Sequence, residues 1–224
     1  MKNLMKIGLV LVAFFMCLSV NAQDKQISFG VKAGLNLSSF GGDKEYKDMD
    51  SKLGFNAGLT LDYNIMGDLY LLSGLELTTK GAKESYKDEY EDYTVTINPM
   101  YLQIPIHVGY KFELSEGMKF VVNAGPYFAY GLGGKIKTKE DGITGSIDIF
   151  KDQDIDGFNI KGMKRFDLGI GVGLGLEFGA LKFGLGYDLG LLNPTPSYSD
   201  YEDYEESNEK FTLNNLYLTV GFKF

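Results

Sequence analysis

The sequence predicts an all-β protein: an eight-stranded antiparallel up-and-down transmembrane β-barrel with four long extracellular loops and three short periplasmic turns. Three observations predict it. Apolar and polar residues alternate with period two along eight segments. The connections between segments alternate between long and short. The polar face of the segments is rich in glycine and carries charges of both signs. A period of two sends successive side chains to opposite faces of a strand, and a helix has no use for it. Antiparallel strands in even number, with long loops at one end only, describe an outer-membrane barrel.

Composition closes off several alternatives. Glycine supplies 29 of 224 residues and proline only 5, with no G-X-Y period, which excludes collagen and a Pro-rich linker. An aromatic share of 14% excludes a disordered acidic tail. The formal charge of −8 argues against gripping phosphate backbones, so nucleic acid is not an expected partner. A single histidine and a single cysteine exclude nearly every metal site and nucleophilic triad built on them, and no cofactor is expected.

Residues 1–22 read as a secretory signal peptide. Lys2 and Lys6 form a positive start, Ile7 to Val20 an apolar run, and Val20-Asn21-Ala22 the small residues a signal peptidase needs, so cleavage is expected after Ala22. The run is well short of the ~20 residues a spanning helix requires. Cys17 follows Phe14-Phe15-Met16 rather than a lipoprotein box, and it leaves with the segment. The mature chain then has no cysteine and no disulfide. The barrel domain is expected over residues 27–224.

The alternation can be followed strand by strand. Ile27, Phe29, Val31, Ala33, Leu35 and Leu37 alternate with Ser28, Gly30, Lys32, Gly34, Asn36 and Ser38. Leu53 to Tyr63 repeat the pattern, and Leu71, Leu75 and Leu77 stand against Gly74, Glu76, Thr78 and Lys80 more weakly. The fourth strand sets Leu102, Ile104, Ile106, Val108, Tyr110 and Phe112 against Gln103, His107, Gly109 and Lys111. The fifth runs from Lys119 to Gly131, the sixth from Phe166 to Phe178, the seventh from Leu181 to Leu191 and the eighth from Leu216 to Phe224. Residues 39–51, 82–99, 132–162 and 193–212 are the long acidic loops, and 64–68, 113–117 and 179–180 the short turns. Strands of about ten residues at ~3.4 Å, tilted ~40°, rise about 26 Å and match an apolar band of ~25 Å.

Periodicity alone leaves open which face is inside, since a secreted lipocalin-type barrel alternates with the opposite sense. Three features favour apolar-out. Glycines on the polar face leave room in a narrow lumen for large inward neighbours. The charges there nearly balance: Asp62, Glu76, Asp167, Glu177 and Asp188 oppose Lys32, Lys80, Lys111, Lys119, Lys182 and Lys223. Apolar-face aromatics gather by the short turns (Phe29, Tyr63, Tyr110, Phe112, Phe120, Phe178, Phe183, Phe222, Phe224), with Phe55, Phe128, Tyr130 and Phe166 forming a second girdle. Pro105 and Pro126 lack a ladder donor within their strands and predict a bulge or local break at each.

The pieces Gly30-Val31-Lys32-Ala33-Gly34-Leu35-Asn36, Tyr101-Leu102-Gln103-Ile104-Pro105, Asn123-Ala124-Gly125-Pro126-Tyr127 and Leu216 to Phe224 resemble the PorT-like outer-membrane β-barrel family of Bacteroidetes. The resemblance spans roughly residues 27–224. It implies the barrel fold and the outer membrane, and it lends some weight to a role in type IX secretion, with which the founding member is linked. It brings no catalytic residues. A terminal phenylalanine on the lipid face is what the barrel-assembly machinery recognises in such proteins, so the resemblance gives Phe224 that role.

Other chemistry is thin. His107, pointing inward, is a candidate base with Glu76 or Asp188 as its orienter, but no serine sits on an identifiable neighbouring inward position, and a histidine in a plugged lumen is the better account. Asp152-x-Asp154-x-Asp156-Gly157 opens like a calcium loop, with Met163 where the bidentate glutamate belongs. A solvated acidic loop accounts for it better than a metal site. Tyrosines interleaved with acids in 86–93 and 199–206 are candidate contact surfaces or simply acidic loops. Eight strands leave no aqueous channel, whereas porins use about 16–18. The expected function is therefore non-enzymatic: an envelope-structural or surface-interaction barrel, with type IX secretion as the alternative. The expected partners are the outer-membrane bilayer, the assembly machinery and an extracellular or secretion-system protein. Both termini are expected in the periplasm.

Overall fold

The computed structural model describes residues 26–42, 49–87, 92–140, 143–155, 158–195 and 211–224. The strands are β1 (Ile27–Gly42), β2 (Asp50–Met66), β3 (Leu69–Thr79), β4 (Ala82–Lys87), β5 (Asp92–Ser115), β6 (Met118–Glu140), β7 (Ile143–Asp148), β8 (Gln153–Ile155), β9 (Phe158–Ile160), β10 (Phe166–Phe178), β11 (Leu181–Gly190) and β12 (Phe211–Lys223). All pairings are antiparallel.

Ten strands make one sheet and β8 pairs with β9 in a second. The large sheet closes on itself. Its circuit runs β1–β2–β3–β5–β6–β10–β11–β12, and β12 returns to β1 from Gly30↔Lys223 to Gly42↔Phe211. Closure is what lets a sheet stand in hydrocarbon, where an unpaired edge would leave backbone groups without partners. Beyond Lys80-Gly81, β4 continues the place of β3 in the ring, pairing with the start of β2 and the first part of β5, whereas β7 pairs only with the last part of β6.

The sheet thus has ten strands where eight segments were expected, because the regions 82–99 and 132–162 are largely strand rather than loop. Thr94-Val95-Thr96-Ile97 and Lys135-Ile136-Lys137-Thr138 carry the same two-residue alternation with β-branched residues, which favour strands. The break between β3 and β4 falls at Lys80-Gly81. Gly81 has φ of 142°, which a side chain rarely adopts, and a Cβ there would collide with the Ile97 carbonyl.

The wall is apolar outside and polar inside. Leu35, Leu53, Val108, Val172, Leu218 and Val220 are exposed, while Asn36, Asn56, Asp62, Glu76, His107, Lys111, Asp167, Glu177 and Asp188 are buried. Aromatic rings meet near the short turns, with Tyr110–Phe112 at 4.6 Å, Phe178–Phe183 at 6.3 Å and Phe222–Phe224 at 5.7 Å between centroids. Phe55, Phe128, Tyr130 and Phe166 are exposed towards the other end. The lipocalin sense is excluded.

The prolines interrupt pairing without shifting it. On either side of the gap, Pro105↔Tyr127 and Val108↔Ala124 keep one register, and Pro126 pairs in step with Ile170. Ser73 Oγ donates to the Pro105 carbonyl at 2.7 Å where the β3–β5 ladder lapses. The register shifts in β5–β6 lie instead at Met100/Tyr101 and Glu113/Ser115.

Inward glycines give space to large side chains across the strand gap. A Cβ on Gly186 would collide with the Tyr217 ring, and one on Gly169 with the Tyr127 ring at 2.5 Å and with the Leu189 carbonyl. Gly169→Val therefore costs about 1–3 kcal/mol from overpacking. The temperature at which the folded band is lost on an unboiled gel should fall for Gly169→Val and stay unchanged for Gly133→Ala, whose added Cβ meets nothing within 4 Å.

Candidate functional site

The lumen is the structure's densest concentration of polar chemistry, and it is built in layers. Nearest the short turns, Lys111 Nζ bridges Asp62 at 2.6 Å and Glu177 at 2.8 Å, and lies 4.3 Å over the Tyr70 ring. Lys182 joins the same two carboxylates, at 2.5 Å to Asp62 and 3.5 Å to Glu177. These groups come from β2, β5, β10 and β11, so one cluster ties together half of the circuit.

The middle layer holds Lys32 on Glu76 at 2.5 Å, Gln103 Nε2 donating to Asp188 at 2.9 Å, and His107 Nδ1 at 2.8 Å from Asn123 Oδ1. His107 Nε2 and Gln103 Oε1 are buried without a protein partner. They border a cavity of about 150 Å³ also lined by Glu76, Asn123, Asp188 and Tyr217, a site that suits ordered water.

Higher still, Asn36 Nδ2 donates to Thr78 Oγ1 at 2.8 Å and to the Thr79 carbonyl at 2.9 Å, and Asn56 donates to Asn36 Oδ1 at 2.6 Å. Lys80 is completely buried, 3.1 Å from Asp167 and 4.0 Å over the Tyr127 ring, whose hydroxyl donates to the same carboxylate at 3.2 Å.

An apolar cap closes the long-loop end. Ile149 and Phe150, in the turn after β7, pack with Phe40, Ala82, Tyr101, Tyr127, Ala129, Phe211 and Leu213. The Phe150 ring meets Tyr101 edge-on at 5.8 Å and fills the space over Gly131. Arg165 clamps it, donating to the Gly131 carbonyl at 2.7 Å and the Phe150 carbonyl at 3.4 Å with its guanidinium 5.0 Å from the ring. Ion pairs below and this cap above enclose the middle layer and its cavity.

The residues singled out in the sequence fare unevenly. His107 and Asp188 share a neighbourhood at Gly171, where a Cβ would come within 2.7 Å of His107 Nε2 and 2.8 Å of Asp188 Oδ1. The histidine's ring Nδ1 is engaged with Asn123, Glu76 is engaged by Lys32, and Ser73 spends its hydroxyl on a backbone carbonyl. Asp152 accepts the Gly162 backbone N–H at 2.9 Å, and Asp154 lies on β8. Asp156 and Gly157 are outside the described residues, among which no group of three or more potential ligands gathers. Beyond the membrane band, Asp148 is held below the ordinary aspartate range by hydrogen bonds from Lys151 and from the Phe150 backbone N–H. The segment 199–206 and the cleavage position Ala22 are also outside the described residues. Phe224 is exposed beside Phe222, its backbone N–H bonded to the Phe29 carbonyl at 2.9 Å.

Sequence reasoning missed Tyr101, Tyr127, Phe150 and Arg165. The two tyrosines were detectable, because they share the parity of Gln103 and Gly125. Phe150 and Arg165 lie outside any alternating run and gave no such signal.

A closed sheet with a lipid-compatible wall and a plugged polar lumen defines an outer-membrane β-barrel protein. The chain belongs to the family described as outer membrane protein beta-barrel domain, which matches residues 21–195, and its place is the outer membrane. Among solved structures it is similar to Neisserial surface protein A (16% identity, 89% of this chain and 100% of that one, TM-score 0.42). It is also similar to Ail, the attachment invasion locus protein of Yersinia pestis (15%, 89% and 99%, 0.39), and to the outer membrane enzyme PagL (12%, 86% and 98%, 0.47). A search of curated proteins gives no match.

Removing Lys111 from the buried cluster leaves Asp62 and Glu177 to share Lys182 alone. Lys111→Met should destabilise the barrel by about 3–5 kcal/mol in urea unfolding, and adding Glu177→Gln should recover part of that loss. Equal stability of Lys111→Met and wild type would show that the cluster contributes nothing.

Proposed function

We propose that this is a non-enzymatic outer-membrane barrel with an envelope-structural or surface-interaction role, acting through its long-loop end. The plugged lumen carries this reading: with ion pairs below and a cap above closing off its small central cavity, outward-facing surface is what remains for partners. The eight strands of the closed circuit cross the membrane, and β4 and β7 stand outside it. Residues 1–22 are a signal peptide cleaved after Ala22. Both termini and the turns at Gly67-Asp68, Glu116-Gly117 and Gly179-Ala180 face the periplasm. Phe224 serves recognition by the barrel-assembly machinery.

His107 supports this reading rather than an enzymatic one. Its ring is buried beneath the cap and bonded to Asn123 rather than to a hydroxyl nucleophile among the described residues, and catalysis needs a base within reach of substrate. The alternative, an accessory part in type IX secretion, rests on the PorT-like segments at 30–36, 101–105, 123–127 and 216–224.

Two measurements test these readings. A mature chain without cysteine permits single-cysteine labelling in intact cells with a membrane-impermeant maleimide. Thr144→Cys should label and Glu116→Cys should label only after lysis; the reverse pattern overturns the orientation. In a strain deleted for this gene, type IX cargo should reach the surface and medium normally. Cargo trapped in the periplasm would overturn the surface role in favour of secretion.

A further inference from the structure

The extension of the sheet beyond the membrane band has two unlike faces. On one, Ile97 of β5 and Ile136 of β6 pack against the cap cluster, which includes Ala82 of β4. The other face, turned away from the barrel axis, carries Lys83 on β4 and Lys135, Lys137 and Lys139 on β6, all exposed. The register aligns them in rows. Lys83 is in line with Thr96, Lys137 and Ser146; Ser85 with Thr94, Lys139 and Thr144; and Asn98 with Lys135 and Asp148. Lysines two residues apart on a strand are ~7 Å from one another, and Lys137 and Lys139 have hydroxyl side chains on the strands to either side.

This concentration of positive charge is out of keeping with a chain of net charge −8. Like charges at this spacing repel one another, and none of the four has an ion-pair partner among the described residues. Among the described residues, the two carboxylates in register with these lysines, Asp50 and Asp148, do not neutralise them. Asp148 is bound to Lys151 at 3.1 Å and to the Phe150 backbone N–H at 3.1 Å, and Asp50 stands in register with Lys83 at the β2 margin without an ion pair.

Position identifies the occupant. The exposed apolar residues of the wall on β5 and β6 end at Ile104 and Leu132, and the pair Met100↔Gly133 is followed within two residues by Asn98↔Lys135. The lysines therefore begin at the membrane boundary and point sideways over the lipid, where lysine stems extend readily to the headgroup level. We propose that the outer face of β4–β7 binds the phosphate groups of a phosphorylated glycolipid in the outer leaflet, Lys135, Lys137 and Lys139 contacting the phosphates and the flanking hydroxyls the sugar. This rests on the proposed orientation, with the long-loop end outside the cell.

The test titrates the full mature barrel, folded in detergent, with bis-phosphorylated lipid A. A Lys135→Gln/Lys137→Gln/Lys139→Gln variant, shown to be folded by its heat-shifted gel band, should lose about fivefold in affinity per lysine, on the order of 100-fold in all. Wild type should bind dephosphorylated lipid A as weakly as the variant binds the intact lipid, an arm that needs no substitution. Unchanged affinity in the folded variant, or equal binding of the dephosphorylated lipid, overturns the proposal. Inorganic pyrophosphate competing as strongly as lipid A would assign the face to a soluble phosphate and overturn the lipid. Both ends of the barrel are accessible in detergent, so failure here is distinct from failure of the orientation, which maleimide labelling reads separately.

Discussion

Everything in this molecule depends on β12 finding β1. In hydrocarbon a backbone N–H or C=O without a partner costs several kcal/mol, and a sheet avoids that only by having no edge. The two strands that must meet lie at opposite ends of the chain, and their pairing runs without a register shift from Gly30↔Lys223 to Gly42↔Phe211. Once that seam is closed, side-chain parity is fixed around the ring. Leu35 and Val220 must face lipid, and Asn36 and Tyr217 must face inward.

Closure creates the second constraint, a lumen walled off from water. A charge placed there needs a partner on another strand, and the chain supplies partners from far away in sequence: Lys182 for Asp62, Lys80 for Asp167, Lys111 for Glu177. Such pairs are expensive to desolvate and add little over an apolar filling, but each becomes costly once half of it is removed. They therefore act chiefly as register locks, since a slip of one residue would turn every lysine and carboxylate out towards lipid. The cap completes the filling by apolar means where the lumen would otherwise open to water.

Most of this architecture was legible in the sequence because a strand writes its two faces directly into alternate residues. Parity separates the two faces, and the sense of the wall follows from what each face carries: glycines and balanced carboxylates and lysines on one, two aromatic girdles on the other. What parity does not record is where pairing stops. Residues 82–99 and 132–162 look like loops because they are polar on one face and acidic nearby, yet Thr94 to Ile97 and Lys135 to Lys139 continue as strands outside the membrane band. Pro105 suggested a bulge or a local break, and it is a break: pairing lapses between Pro105 and Val108, the Ser73 hydroxyl donates to the Pro105 carbonyl, and the register continues. The cap was illegible for another reason. Phe150 and Arg165 meet through a turn and an irregular segment, and no spacing rule joins them.

The seam is the most direct test of the account. In the mature chain, Ala33→Cys and Val220→Cys place two thiols on directly opposed residues of β1 and β12, both on the outer face. Cross-strand neighbours at this position have Cβ atoms ~4.5–5.5 Å apart, within adjustment of a disulfide, whereas a partner two residues along is ~7–8 Å away. On oxidation in isolated outer membranes, the 33/220 pair should form an intramolecular disulfide that changes the mobility of the unfolded chain, and the 33/218 pair should not. Crosslinking of 33/218 in preference to 33/220, or of neither, would contradict the closed register on which the lumen, the cap and the outer face all depend.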